Sequence, residues 1–372
     1  MLLSRHKEAL LTMNLTNHKL IMDYLTEIIK EKKDIENYKL PSERILANKF
    51  NISRKPIRQA YQKLADRGLV NAIHGKGYYI NNSTASNANL LLSFKRKSKL
   101  SLIIPSVETR FSQEITGGIN SFCAKNDLDF SIHISNNDPE KELELLHMLP
   151  HLDTNGIILF PTDTSNISNK TLKNLLPNRY PLTVIDRKLS SVKCCTVSTN
   201  HYTSMVEATR FLHQKGYTKI TYAAVSSPGV SSLEERMQGF RHGLFKYYQV
   251  LESRSFLELP TEKSQQKAAC VNFLKKYPDT EVIIICCTHA SLVVDAAQEL
   301  NISIPDSLKL MFYDNELTPA LRRTLNPYLI NQEPVALGYQ AAQLCYDQMH
   351  GNMQVSSKLL STNIQDPDIY TT

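Results

Sequence analysis

The sequence predicts an α/β protein in two parts: three short helices with a hairpin, then a larger domain of two doubly wound parallel sheets. Three observations carry this. After residue 100, short apolar or β-branched runs alternate with amphipathic stretches, the texture of parallel strands covered by helices on both faces. These runs number about ten, which suits two sheets better than one very wide sheet. The charge is also segregated: residues 1–99 hold 19 Lys+Arg against 8 Asp+Glu, and the remainder 24 against 28.

In the first part, Ile21, Tyr24, Leu25, Ile28 and Ile29 recur at helical spacing and mark one apolar face. Ser42 is placed to cap a second helix over 43–50, with Leu46, Ala47 and Phe50 inward. Ser53 can cap a third helix, which ends near Gly68; Pro56 sits in its first turn, where a missing N–H costs nothing. "LVNAI" and "GYYI" flank "HGKG" as a two-stranded hairpin with a glycine turn. Residues 1–15 read as a loose arm. The seam at 81–99 begins Asn/Ser/Thr/Ala-rich and ends in a basic cluster, a linker by composition. The expected domains are therefore 1–80, a linker 81–99, and 100–372.

In the second part, the strand-like runs are "LSLIIP", "FSIHIS", "GIILFP", "LTVID", "TVST", "KITYAA", "SFLELP", "EVIIICC", "LKLMFYD" and "YLINQ". Helices are expected over 112–126, 140–149, 201–215, 234–248, 264–277, 289–300 and 334–350. Two sheets imply two lobes with a cleft between them, and ligands in such folds gather at the C-terminal strand ends.

No apolar run is long enough to span a bilayer, and the polar N-terminus lacks a signal-peptide core, so the expected location is cytoplasmic. The seven cysteines show no CxxC or Cys/His zinc spacing and read as buried reduced thiols. No metal, cofactor or catalytic residue is nominated. The sequence contains no P-loop, no GxGxxG after a strand, no GxSxG and no metal-spaced His/Cys set.

On the third helix Ile57, Ala60, Tyr61 and Leu64 face inward while Arg54, Lys55, Arg58 and Gln62 point outward. Four polar or cationic residues on a helix can be a plain solvated face. Combined with a preceding helix, a turn and a glycine wing, they describe a winged helix-turn-helix that enters the major groove N-terminus first. The hairpin tip offers His74, Gly75 and Lys76 to a sugar-phosphate strand.

The stretch "LPSERILANKFNISRKPIRQAYQKLADRGLVNAIHGKGYYI" resembles the winged helix-turn-helix of the GntR family of bacterial regulators. The likeness is carried by Leu40-Pro41-Ser42-Glu43-Arg44, Leu46-Ala47, Ser53-Arg54, Arg58, Gly68-Leu69-Val70, Gly75 and Gly77, with Ile57 at the family's valine position. It implies that Arg44, Arg54 and Arg58 contact DNA together with His74, Gly75 and Lys76. Ser42, Ser53 and Lys55 complete the expected DNA-binding set.

Residues 100–365 resemble the LacI/GalR-type, periplasmic-binding-protein-like sugar receptor. The segments that carry this include "LIIPSVETRFSQEITGGI", "NGIILFPTD", "PLTVIDRKL", "GYTKITYAAVSSPGVSSLEERMQGFRHGL" and "YLINQEPVALGYQAAQL". The pairing of the two domains is similar to the arabinose-responsive repressors of Gram-positive bacteria. Sugars are held by carboxylates and Arg forks with an aromatic ring beneath. The strand ends supply Asp163, Asp186-Arg187, Asp314 and Gln332. The resemblance carries effector contact to Phe111, Arg187, Asp314 and Gln332, with Asp163, Arg236 and Thr288 added to the set. Two departures stand out: Thr109-Arg110-Phe111-Ser112 replaces the family's Asn-Pro-Phe-Phe, and Thr288-His289 its Asn-Asp.

The expected function is a transcriptional repressor whose binding to a pseudo-palindromic operator, as a homodimer, is controlled by a sugar or sugar derivative. The alternatives are a cytoplasmic enzyme acting on a sugar or phosphosugar, and a transport binding protein.

Overall fold

The computed structural model describes residues 21–29, 31–32, 35, 37–66, 68–81, 97–162, 167–177, 179–189, 191–225, 229–249 and 252–367. The chain divides into two compact units, Met1–Lys97 and Ser98–Thr372. The arm over residues 1–15 and residues 82–96 of the linker lie outside the described residues.

In the first unit, α1 (residues 21–29), α2 (Glu43–Phe50) and α3 (Arg54–Asp66) pack around Ile21, Leu25, Ile29, Leu46, Ile57 and Tyr61, all fully buried. Ser42 caps α2 by accepting from the Ile45 N–H at 3.3 Å. At the end of α3, Gly68 takes a left-handed φ of 70°. Its N–H donates to Ala65 O and the Leu69 N–H to Leu64 O, the paired bonds of a Schellman cap. β1 (Val70–Ile73) and β2 (Gly77–Ile80) pair antiparallel, and Lys39 adds a bridge to Tyr79 that widens the hairpin. Tyr61 and Tyr78 stack with centroids 3.9 Å apart, tying the third helix to the hairpin.

The second unit has two lobes. Lobe one carries β3 (Lys99–Ile104), α4 (Arg110–Lys125), β4 (Asp129–Ile134), α5 (Pro139–Met148), β5 (Gly156–Leu159), α6 (Asn169–Leu175), β6 (Leu182–Ile185) and β7 (Cys195–Thr199). The chain then crosses to lobe two for α7 (His201–Gln214), β8 (Ile220–Val225), α8 (Ser231–Gly243), β9 (Phe256–Leu259), α9 (Lys263–Lys276) and β10 (Val282–Cys286). There follow α10 (Ala290–Glu299), β11 (Lys309–Tyr313), α11 (Pro319–Leu325) and β12 (Tyr328–Asn331). It returns to lobe one for α12 (Pro334–Met349) and β13 (Ser357–Leu360), and crosses once more for β14 (Asn363–Gln365).

The sheet orders are β13-β7-β6-β5-β3-β4 and β14-β12-β11-β10-β8-β9. Every pair is parallel except β14 against β12. Central strands such as "GIIL" and "LTVI" are buried at every position, as strands covered on both faces must be. β13, β14, α6 and α11 come in addition to the expected elements. The helix expected over 234–248 begins three residues earlier and ends in a π turn at Leu244–Tyr248.

α4 and α12 touch backbone to backbone. A Cβ added at Gly118 would stand 2.1 Å from Val335 O, and one at Gly338 2.1 Å from Ile115 O. This contact fixes how α4 and α12 cross. Among the described residues, no helix is long and apolar enough to cross a membrane.

Candidate functional site

Two sites emerge, one in each unit. In the first, Arg54, Lys55 and Arg58 are exposed on the N-terminal half of α3, Arg44 is exposed on α2, and His74, Gly75 and Lys76 are exposed at the hairpin tip. Ser42 and Ser53, also exposed, stand directly before α2 and α3. Gly75 and Gly77 take φ of 74° and 109°, a backbone that side chains disfavour and that keeps the tip narrow. Arg58 is already engaged: its Nε and Nη2 donate to the two Glu43 carboxylate oxygens at 3.1 and 3.0 Å. The Tyr78 hydroxyl donates to the same carboxylate at 3.1 Å. The Arg58 guanidinium holds the Glu43 carboxyl below its usual range. This forked pair orients the arginine and leaves Nη1 and the second N–H of Nη2 as donors.

In the second unit, the strand ends of both lobes converge. Asp186 after β6 and Asp314 after β11 occupy corresponding places in the two lobes, both in left-handed backbone at φ 65° and 74°. Such strain concentrates at functional sites. Asp186 is buried and stands 3.5 Å from Nε2 of His201, the first residue of the first helix in lobe two. His201 Nδ1 accepts from Arg236 Nε at 3.3 Å and lies 3.1 Å from the Tyr313 hydroxyl. An accepting Nδ1 puts the imidazole proton on Nε2, facing Asp186. Arg236 is buried, with its guanidinium 3.6 Å above the Tyr313 ring. Burial and the Arg236 charge hold His201 below its usual value, as the neutral ring. Burial works against the Asp186 carboxylate, but His201, Arg187 and Arg236 outweigh it and keep it ionised.

Beside this chain runs a second one. Thr199 donates to Gln332 Oε1 at 2.5 Å, and Gln332 Nε2 donates to Asp314 Oδ1 at 2.5 Å. Burial pushes the Asp314 carboxyl up to about 6. Asp314, Gln332 and Phe111 line a cavity of about 290 Å³ between the lobes. Phe111 meets Phe160 edge to face, and Arg187 lies 5.0 Å over the Phe160 ring while its Nη1 donates to Pro161 O and Thr162 O.

The lobes also hold each other. Glu316 accepts the N–H groups of Arg110 and Phe111 at 2.8 and 3.0 Å. Lys188 donates from its backbone to Ser231 and from Nζ to Glu235.

Five of the expected effector residues, Phe111, Arg187, Arg236, Asp314 and Gln332, thus lie together where the lobes meet. Thr288 is exposed beyond β10, bonded to Cys286 and His289. Asp163 lies outside the described residues. His201, Tyr313, Thr199, Phe160 and Glu316 were missed. His201 follows a strand at a helix start, the kind of position that nominated the others; Tyr313 inside a strand run carries no such mark.

The comparisons with known proteins agree with this architecture. Residues 100–353 match the periplasmic binding protein domain, and residues 18–80 match the gntR family of bacterial regulatory proteins. The chain is 22% identical over 234 residues to the transcriptional regulator KdgR of Bacillus subtilis, covering 60% of this chain and 66% of that one. It is 21% identical over 318 residues to the arabinose metabolism transcriptional repressor of Geobacillus stearothermophilus, covering 82% and 84%. A periplasmic binding protein/LacI transcriptional regulator from Alkaliphilus metalliredigens, solved with D-xylulofuranose, shares the fold. Its TM-score is 0.62 at 19% identity, over 73% of this chain and 98% of that one. The chain therefore belongs to the periplasmic binding protein domain family, joined to a gntR-family DNA-binding domain, and is a transcriptional regulator rather than an enzyme.

Proposed function

We propose that this regulator is a cytoplasmic repressor that binds a pseudo-palindromic operator as a homodimer and is released by a sugar or sugar derivative. The reading rests chiefly on the cavity at Phe111, Asp314 and Gln332, whose walls come from both lobes. A ligand there feels the separation of the lobes, so it can favour one arrangement over another. A ligand with equal affinity for both would shift nothing. The sugar class is supported by the names of the relatives and by the site's chemistry: carboxylate and amide groups beside an aromatic ring. On the DNA side, Arg44, Arg54, Lys55, Arg58, His74, Gly75 and Lys76 make the contacts, and Ser42 and Ser53 start the two helices that present them. In the effector domain Arg187 and Arg236 act with Phe111, Asp314 and Gln332, and Asp163 and Thr288 contribute to recognition of the same ligand.

The test is fluorescence anisotropy with a duplex that the full-length protein itself selects from a random library. Affinity should fall steeply with salt, as phosphate contacts require, and should drop when a sugar that stabilises the protein is added. Binding no tighter to the selected duplex than to random DNA would sink the operator reading. Tight operator binding that no stabilising sugar alters would sink the effector reading alone.

A further inference from the structure

We infer that the effector carries no anionic group: the cleft accepts a neutral sugar, prefers an amino sugar on the same skeleton, and rejects uronates and sugar phosphates. The inference deepens the reading of this cavity as a sugar site and rests on it.

The balance of fixed charge around the cavity disfavours an anion. Two arginines, Arg187 and Arg236, stand near the cavity but outside its lining, and both are engaged within the protein. Arg187 Nη1 donates to Pro161 O and Thr162 O, and its Nε lies 3.9 Å from Asp186. Arg236 is buried against Tyr313 and donates to His201. Their charges are matched by two carboxylates, Asp186 and Asp314, one at the strand end of each lobe. His201 between them is neutral. The nearby Lys188 is spent on Glu235 at 2.5 Å. Among the described residues, neither these arginines nor Lys188 lines the cavity.

The cavity walls tip the balance further. Besides Asp314, they present Glu114, Glu316 and Glu333 against a single cation, Arg110. Arg110 is paired with Glu114 at 2.6 Å. Glu316 accepts two main-chain N–H groups at the start of α4. Those are the amides that would otherwise receive a ligand phosphate or carboxylate, and a side chain of the opposite lobe already fills them. Glu333 accepts from Asn363 at 3.4 Å. A sugar anion entering this space meets excess negative charge at short range and finds its natural amide site occupied. A hydroxylated neutral ligand can donate to these carboxylates, and an ammonium group can do so with charge assistance.

The experiment is a thermal-shift and calorimetric comparison on the full-length protein. Glucose, galactose and mannose would each be presented as the free sugar, the 2-amino-2-deoxy sugar, the uronate and the 6-phosphate. On any skeleton that binds, the expected order is amino sugar, then free sugar. The two anionic forms should be weaker than the free sugar by roughly tenfold or more. In the Glu316→Gln, Glu333→Gln double variant, and in wild type at raised salt, that gap should narrow, because both reduce the repulsion. A uronate or phosphate that binds best on its skeleton overturns the inference and leaves the sugar reading standing. So does a discrimination unmoved by both the double variant and salt. Silence from every member of all three sets overturns the sugar reading of the cavity itself.

Discussion

The two sites of this protein are built in opposite ways. The proposed DNA-binding face lies within a few dozen consecutive residues, and its cations are exposed on short helices and a hairpin tip. The proposed effector cleft takes its groups from a helix start and strand ends more than 200 residues apart, and it buries a carboxylate, an imidazole and a guanidinium in one chain. An exposed site contributes little to the stability of its domain and can be altered residue by residue. A buried charged site is part of the core, and its members stand or fall together.

The sharpest way to break that contrast is to remove one buried charge. Arg236→Ala leaves Asp186 and Asp314 without their shared countercharge and opens space over Tyr313. The effector domain should lose about 3–5 kcal/mol in denaturant unfolding, while the DNA-binding domain melts unchanged. A loss below about 1 kcal/mol would mean that the network is not integral to the core.

On the exposed side, Arg54→Ala should change stability by no more than about 0.5 kcal/mol. Operator affinity should fall about tenfold and the salt dependence should lose roughly one counterion. An unchanged salt slope would take Arg54 off the phosphate backbone.

The smallest effect concerns Asp314. Its carboxyl is raised from 3.8 to about 6 in the folded protein, so the native state binds the proton more readily than the unfolded chain. Stability contributed by the protonated form is then lost as pH rises from about 4 to about 6. Asp314→Asn should flatten that part of the profile in thermal melts. A slope identical to wild type would place the titration elsewhere.

Much of this was legible in the sequence because the signals are local. Ser42 before α2, the inward set Ile57, Ala60, Tyr61 and Leu64, and Gly68 after α3 declare their roles within one or two helical turns. The central strands of the large domain are continuous apolar runs that only a doubly covered sheet can accept. The elements that escaped are short or peripheral. β13 and β14 are edge strands of four and three residues whose identity comes from their partners, β7 and β12. α11 did carry a signal, Thr318 followed by Pro319 as cap and first residue, but it is only seven residues long.

The sequence by itself therefore determined the elements of both units, the exposed cationic face of α3 and the strand ends at which a ligand site could form. Hydrophobic period, caps and glycine turns act over a few residues and can be read along the chain. Only the tertiary structure decided that His201 joins Asp186 to Arg236, and that Glu316 fills the amides at the start of α4 from 205 residues away. It also decided that Arg58 is oriented by Glu43. Each of these depends on a charge or hydrogen-bond partner brought up by folding, and burial then sets the protonation state on which the cleft's chemistry depends.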